Sequence, residues 1–231
     1  MLGTIVNALA ILGGSLLGLL FSKGIADNYK EIILSGVGLS VLLIGVKSAL
    51  VSNDLMVVIF SVIIGALLGE WWQIEKKLEA LGAFLEKKVT TKSSDTKSFA
   101  RGFVTASLVF CVGSMAIVGS LESGLTGNHQ TLFAKSVLDG VTSVIFASAM
   151  GLGVMFSAAA VFLYQGLITI TAVFMKSFLV PETIAQMTSV GGLLIMAIGM
   201  NMLKITAIRV GNLLPAIFLP LAYFAVRQWF F

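Results

Sequence analysis

Twenty-seven consecutive residues, Glu75 to Arg101, carry 11 of the 26 charged side chains of this chain, including 7 of its 15 Lys and Arg. The rest of the sequence divides into apolar runs of about 20 residues, the length that crosses a bilayer as a helix. A chain so divided is constrained before any motif is considered. It is 58% hydrophobic and 11% charged, with a mean hydropathy of +1.03, whereas soluble domains are about 25% charged. The expected fold is an all-α integral membrane protein, a polytopic helix bundle forming one membrane domain over residues 1–231.

Uncharged stretches place spans at about 3–21, 32–50, 55–73, 102–121, 132–150, 154–176, 184–203 and 210–227. The fifth and sixth rest on length. Gly140 to Met175 is uncharged for 36 residues, about 54 Å as one helix against a hydrocarbon core of about 30 Å. A tight turn at Gly151-Leu152-Gly153 resolves this into two spans. The count is eight, with seven as the alternative. The N-terminal run has no Lys or Arg before it, so it reads as a retained span rather than a secretory signal. The 24 Gly and 3 Pro suit helices packed closely in lipid.

Charge orients the chain. Segment 75–101 supplies +3 of the net +4, so the remainder is nearly neutral and no nucleic-acid partner is expected. Placed on the cytoplasmic side, this segment puts the N-terminus outside. Eight spans then put Lys23, Lys30, Lys204 and Arg209 inside as well, with Lys135, Lys176 and Arg227 outside and Lys47 snorkelling outward. Seven would move Lys204 and Arg209 outside. Ile74, Leu78, Leu81 and Leu85 recur at helical spacing among charged neighbours. They predict an amphipathic helix on the inner membrane surface, anchored by Trp71 and Trp72, followed by a polar linker over 90–98. This cytoplasmic connector over 74–101 either orients the protein or binds lipid or a partner.

Two self-similarities point to an inverted repeat. Residues 3–15 align with 102–114 at Gly3/Gly102, Leu9/Leu108, Gly14/Gly113 and Ser15/Ser114. Gly38-Leu39 through Ile44-Gly45 resembles Gly192-Leu193 through Ile198-Gly199. Each pairs an odd with an even span, the arrangement of many secondary transporters; chance matching of apolar sequence is the alternative.

Ionisable and amide groups inside spans are the candidate functional residues, because lipid penalises them. Asp139 and Lys135 share a helix face at i, i+4 and can pair, as an ion site or as a structural bridge. Gln165 falls about 16 Å into its span, near the midplane. Asn7, Asn201 and Asn212 are further polar positions, Glu70 reads as an interfacial carboxylate, and Glu122 opens an outer loop bearing the only histidine, His129. Pro215 and Pro220 interrupt the last span and free backbone carbonyls. Gly14-xxx-Gly18 and Gly65-xxx-Gly69 are packing faces for contacts within the bundle or between subunits. There is no Walker A loop, dinucleotide fingerprint or H-E-x-x-H, and one His with one Cys cannot form a His/Cys zinc site. Neither an enzyme, nor a cofactor, nor a metal is expected, and the scattered Met read as apolar filling.

The blocks CVGSMAIVGSLESGL (111–125), KSVLDGVTSVIFASAMGLGVMFSA (135–158) and YQG (164–166) resemble a bacterial family of small multi-pass membrane proteins, the YdfK/YqgA type, classed as a domain of unknown function. GTIVNALAILGGSLLG (3–18), GALLGEWWQIE (65–75) and GNLLPA (211–216) are similar to its other blocks, so the likeness covers nearly the whole chain. The resemblance implies a bacterial cytoplasmic-membrane location. It places Asn7, Glu70, Lys135, Asp139, Gln165 and Asn212 in motif blocks without assigning them roles. The leading expectation is a secondary transporter or channel for an ion or small polar solute. The alternative is a non-transporting scaffold or sensor that oligomerises through its glycine faces and signals through 74–101. The bilayer is a partner in either case.

Overall fold

The computed structural model describes residues 1–22, 27–77, 80, 96–112, 114–175 and 178–230. Among these there is no strand. In order they form α1 (Leu2–Ser22), α2 (Asp27–Ala49), α3 (Leu55–Trp72), α4 (Thr96–Cys111), α5 (Ser114–Leu125), α6 (Gln130–Met150), α7 (Gly153–Ile170), α8 (Ala172–Met175), α9 (Pro181–Met202), a 3-10 segment η1 (Val210–Phe218) and α10 (Leu219–Phe230). Local chemistry sets several boundaries. The Asp54 carboxylate accepts from the Val57 amide at 3.2 Å and caps α3. Pro181 opens α9, where its missing N–H is harmless. Gly151, at φ 79, makes the turn between α6 and α7 that the sequence placed there.

Five whole helices (α1, α3, α6, α7 and α9) and the stretch Val210–Arg227 are long and apolar enough to cross a membrane. In α2 the apolar part is shorter, Leu34–Ala49. The expected unbroken span at 102–121 is corrected. Its two helices, Phe99–Cys111 and Met115–Leu125, meet at a 60° bend. A Gly-Ser pair, Gly113-Ser114, stands at that point, and such pairs are where helices yield. Gly191 of α9 receives the Val112 side chain there; a Cβ on Gly191 would overlap it.

Close glycine contacts fix helix directions. Gly3 lies on Leu132, Gly14 on Gly140 and Ser143, and Gly18 on Val144 and Ala147, so α1 and α6 are parallel. Gly45 lies on Gly192 and Met196 while Gly199 lies on Leu42 and Gly38, so α2 and α9 are antiparallel. Gly65 on Ala216 and Gly69 on Asn212 make α3 and η1 antiparallel. The bent pair α4–α5 follows α7 along its length. Gly102 sits by Met150 and Val154, and Gly124 by Thr169 and Ala172. That pair is one broken crossing, not a loop returning to its own side. By length and apolar character the described helices give six candidate spans, or seven with the bent pair as one, against the eight expected from the sequence, because the apolar part of α2 is too short. The fold is an all-α polytopic membrane bundle. Both glycine faces named from the sequence are used inside it, against α6 and η1, rather than left for a second subunit.

Burial is uneven. In α9, 78% of the apolar window is buried, against 22% in α3, so α9 is the inner helix and α3 borders lipid. Leu9, Leu20, Leu43, Leu67, Val141 and Ile170 point outward, as a lipid-facing surface requires. Met1, His129 and Thr169 mark one end of the bundle, the amino-terminal end. Trp72, Arg101, Gly151 and Lys204 mark the other, the arginine end. Trp71 and Trp72 are stacked and exposed there, with ring centroids 6.3 Å apart. Of the predicted amphipathic helix, residues 74–77 and 80 are helical; 78–79 and 81–95 lie outside the described residues. The tail of the predicted linker, from Thr96, already belongs to α4.

Candidate functional site

Three helices bring four polar side chains to one place near the amino-terminal end. Close contact of α1 with α6 at Gly14 aligns Asn7, two turns earlier, with the face of α6 that carries Lys135 and Asp139. A Cβ on Gly14 would overlap the Gly140 carbonyl oxygen and the Ser143 hydroxyl. Lys135 Nζ donates to both Asp139 carboxylate oxygens at 2.8 Å. Asn7 Nδ2 donates to Asp139 Oδ2 at 3.0 Å and to Gln165 Oε1 of α7 at 3.3 Å. Asn7 and Gln165 are wholly buried, and Lys135 and Asp139 are 7% and 6% exposed. Two charges are tolerated at such burial because each is neutralised and hydrogen-bonded by the other.

The cluster is incompletely satisfied. Asn7 Oδ1 has no hydrogen-bond partner among the described residues, and neither has Gln165 Nε2. The same holds for the hydroxyls of Thr4, one turn before Asn7, and Thr169, one turn after Gln165. An acceptor, a donor and two hydroxyls are thus left over beside a neutralised ion pair. Buried orphans of this kind each forfeit about 1–3 kcal/mol unless something binds them. The depth differs from expectation. Helix α7 ends at Ile170 rather than near 176, so Gln165 lies about 7.5 Å from its end instead of at the midplane.

The other four candidates lie elsewhere. At the loop before α6, Glu122 accepts from the Thr131 hydroxyl at 2.7 Å, and Ser123 Oγ meets His129 Nδ1 at 2.9 Å; this joins α5 to α6. At the arginine end Asn201 folds residues 203–209 back onto α9. Its Oδ1 accepts from Thr206 Oγ1 at 2.8 Å and from the Ile208 amide at 2.9 Å, and its Nδ2 donates to the Ile208 carbonyl at 2.7 Å. Nearby, Glu70 accepts from Arg209 Nη1 at 2.8 Å and from Asn212 Nδ2 at 2.7 Å. Asn212 Oδ1 accepts the Glu75 amide at 2.7 Å, and the Glu75 carboxylate accepts the Gly211 amide at the start of η1. Sequence reasoning missed Thr4, Thr169 and Glu75. The first two carried a usable signal, standing one turn from a buried amide; Glu75 was absorbed into the charged segment.

Two clefts open at the arginine end. One of about 290 Å³ lies between α4, α9 and the 203–209 loop, with Arg101, Arg209 and Glu75 in its lining. The other, of about 430 Å³, is lined by Arg101, Lys204 and Glu31 among others. Neither includes Asn7, Lys135, Asp139 or Gln165. An apolar cavity of about 160 Å³ lies between α4, α7 and η1, beside Cys111 and Tyr164. Among the described residues no three His, Cys, Asp or Glu side chains converge as metal ligands would.

The family described as "Protein of unknown function (DUF554)" matches residues 2–225. The chain is 34% identical over 224 residues to "Uncharacterized membrane protein YdfK" of Bacillus subtilis strain 168, covering 95% of this chain and 94% of that one. It is 30% identical over 232 residues to "Uncharacterized protein YqgA" of Escherichia coli K12, covering 99% of each. No solved structure matches it.

Proposed function

The chain belongs to the DUF554 family, and from that premise we propose that it is a secondary transporter or channel for an ion or small polar solute. The observation that carries this reading is the buried cluster of Asn7, Lys135, Asp139 and Gln165, with its unpartnered Asn7 Oδ1 and Gln165 Nε2. Ionisable groups inside a membrane bundle mark solute and ion paths by default. Here the leftover donor, acceptor and hydroxyls are groups that a small polar ligand would satisfy.

Two further features support it. One crossing, α4–α5, is broken, and discontinuous helices commonly build transport sites. The two G-x6-G segments also pack on each other reciprocally. Gly38 lies on Gly199 and Gly45 on Gly192, so exchanging the two motifs maps the contact onto itself. Segments related by an axis in the membrane plane, as in an inverted repeat, pack in this way. The conformation described is then a closed one, with access opened by movement at the α4–α5 break. No enzymatic step enters this reading. The arginine end, which adjoins the Lys-rich segment, faces the cytoplasm of a bacterial cell, and the N-terminus lies outside.

The test is flux in reconstituted vesicles across a panel of ions and small metabolites. The wild-type chain should move at least one of them, and Asp139→Asn should abolish that movement. Unchanged flux in the variant would remove Asp139 from the mechanism. A wild-type chain inert across the panel would remove transport.

A further inference from the structure

We propose that the pair of clefts around Arg101 binds the phosphate of an anionic phospholipid headgroup. Arg101 and Met202 line both clefts. Arg101 is exposed, and among the described residues it has neither an ion-pair partner nor a hydrogen-bond acceptor. The other cations among the described lining residues are engaged. Arg209 is held by Glu70 at 2.8 Å, and Lys204 meets Glu31 at 3.3 Å. The remaining acid in the lining, Glu75, accepts the Gly211 amide. Among the described residues the second cleft has one more cation than acid, Arg101, whereas in the first the pairing of Arg209 with Glu70 leaves Arg101 and Glu75 in the lining.

The walls select the ligand. Besides these polar groups the first cleft is lined by Val104, Ile198 and Met202, the second by Ile32, Leu34 and Met150. A free inorganic anion leaves these side chains unused. A phospholipid uses both parts, with its phosphate on the guanidinium and its glycerol and upper acyl carbons against the apolar walls. Arg101 lies near the start of α4, and Asn201 and Met202 end α9, so the clefts sit at the ends of membrane helices, where headgroups lie. The planar guanidinium fork matches a phosphodiester, and one cation near an anionic surface contributes about fivefold in binding.

Native mass spectrometry of the full chain, delipidated in detergent, tests the proposal with three probes: phosphatidylglycerol, phosphatidylcholine of the same acyl chains, and inorganic phosphate. The wild type should retain phosphatidylglycerol about fivefold over phosphatidylcholine. Arg101→Gln should erase that preference with unchanged helical circular dichroism, and Arg101→Lys should keep part of it. Lys77 is exposed at the same end and lines neither cleft, so Lys77→Gln should keep the preference. Three results would overturn the proposal: an undiminished preference in Arg101→Gln, an equal loss in Lys77→Gln, or Arg101-dependent phosphate binding that displaces the lipid.

Discussion

Two regions of this molecule use the same three kinds of group to opposite effect. Near the amino-terminal end, a carboxylate (Asp139), a cation (Lys135) and an asparagine (Asn7) form a cluster with 8% side-chain exposure on each charged partner. At the arginine end Glu70, Arg209 and Asn212 form a comparable triad, but its charged side chains are 52% and 63% exposed. Both join distant helices, and both follow a glycine that brings two backbones together, Gly14 in one case and Gly69 in the other. What differs is the solvent. Water screens the second triad and competes for each of its bonds, so its ion pair contributes little. The first is buried away from bulk solvent, so a group there left without a partner carries a larger penalty. Chemistry that looks alike in the sequence is an exposed fastening in one place and a buried, incompletely satisfied cluster in the other.

The largest expected effect tests that contrast directly. Lys135→Met leaves a buried carboxylate unpaired and should destabilise the protein by about 3–5 kcal/mol, read from denaturant unfolding in detergent. Adding Asp139→Leu should restore most of that loss. A single variant as stable as wild type would show that the cluster is hydrated and the contrast false. Next come Gly14→Ala and Gly69→Ala. Each Cβ would overlap backbone, on Gly140 and Asn212 respectively, and each should lose about 1–3 kcal/mol. Similar losses would place the difference between the regions in electrostatics rather than packing; a much larger loss at Gly14 would blur it. Arg209→Gln should lower stability by about 0.2–1 kcal/mol at low salt and less at high salt. A loss as large as that of Lys135→Met would collapse the comparison. Smallest is Glu31→Gln. It breaks an ion pair whose partners are 79% and 82% exposed, and the melting temperature should not move measurably.

How much of this the sequence discloses depends on distance along the chain. Lys135 and Asp139 are four residues apart on one helix, so their pairing follows from helical spacing alone. Asn7 and Gln165 stand out as polar groups in apolar runs, but their meeting needs α1 to lie on both α6 and α7. Composition places helices in the membrane without saying which ones touch. Grouping Glu70, Asn201 and Asn212 with Asp139 reflects that gap: each is a polar group in or near a span, yet they lie at the opposite end. The break at Cys111–Ser114 was hidden because an uncharged run shows hydropathy and not curvature, although the Gly113-Ser114 pair marked the weak point. The apolar stretches themselves were legible because lipid admits so few charges.

The bond between Asn7 and Asp139 joins residues 132 positions apart. At ribosomal rates of about 5–20 residues per second, the first helix is made roughly 7–26 s before its partner carboxylate exists. During that interval its amide and the bare glycine face at Gly14 and Gly18 meet only lipid or α2 to α5. The first helix is therefore settled against its partner only once α6 has been made. A chain stalled or cut before Asp139 would present a span with an unclaimed polar group, a form that membrane quality control could distinguish from the finished bundle.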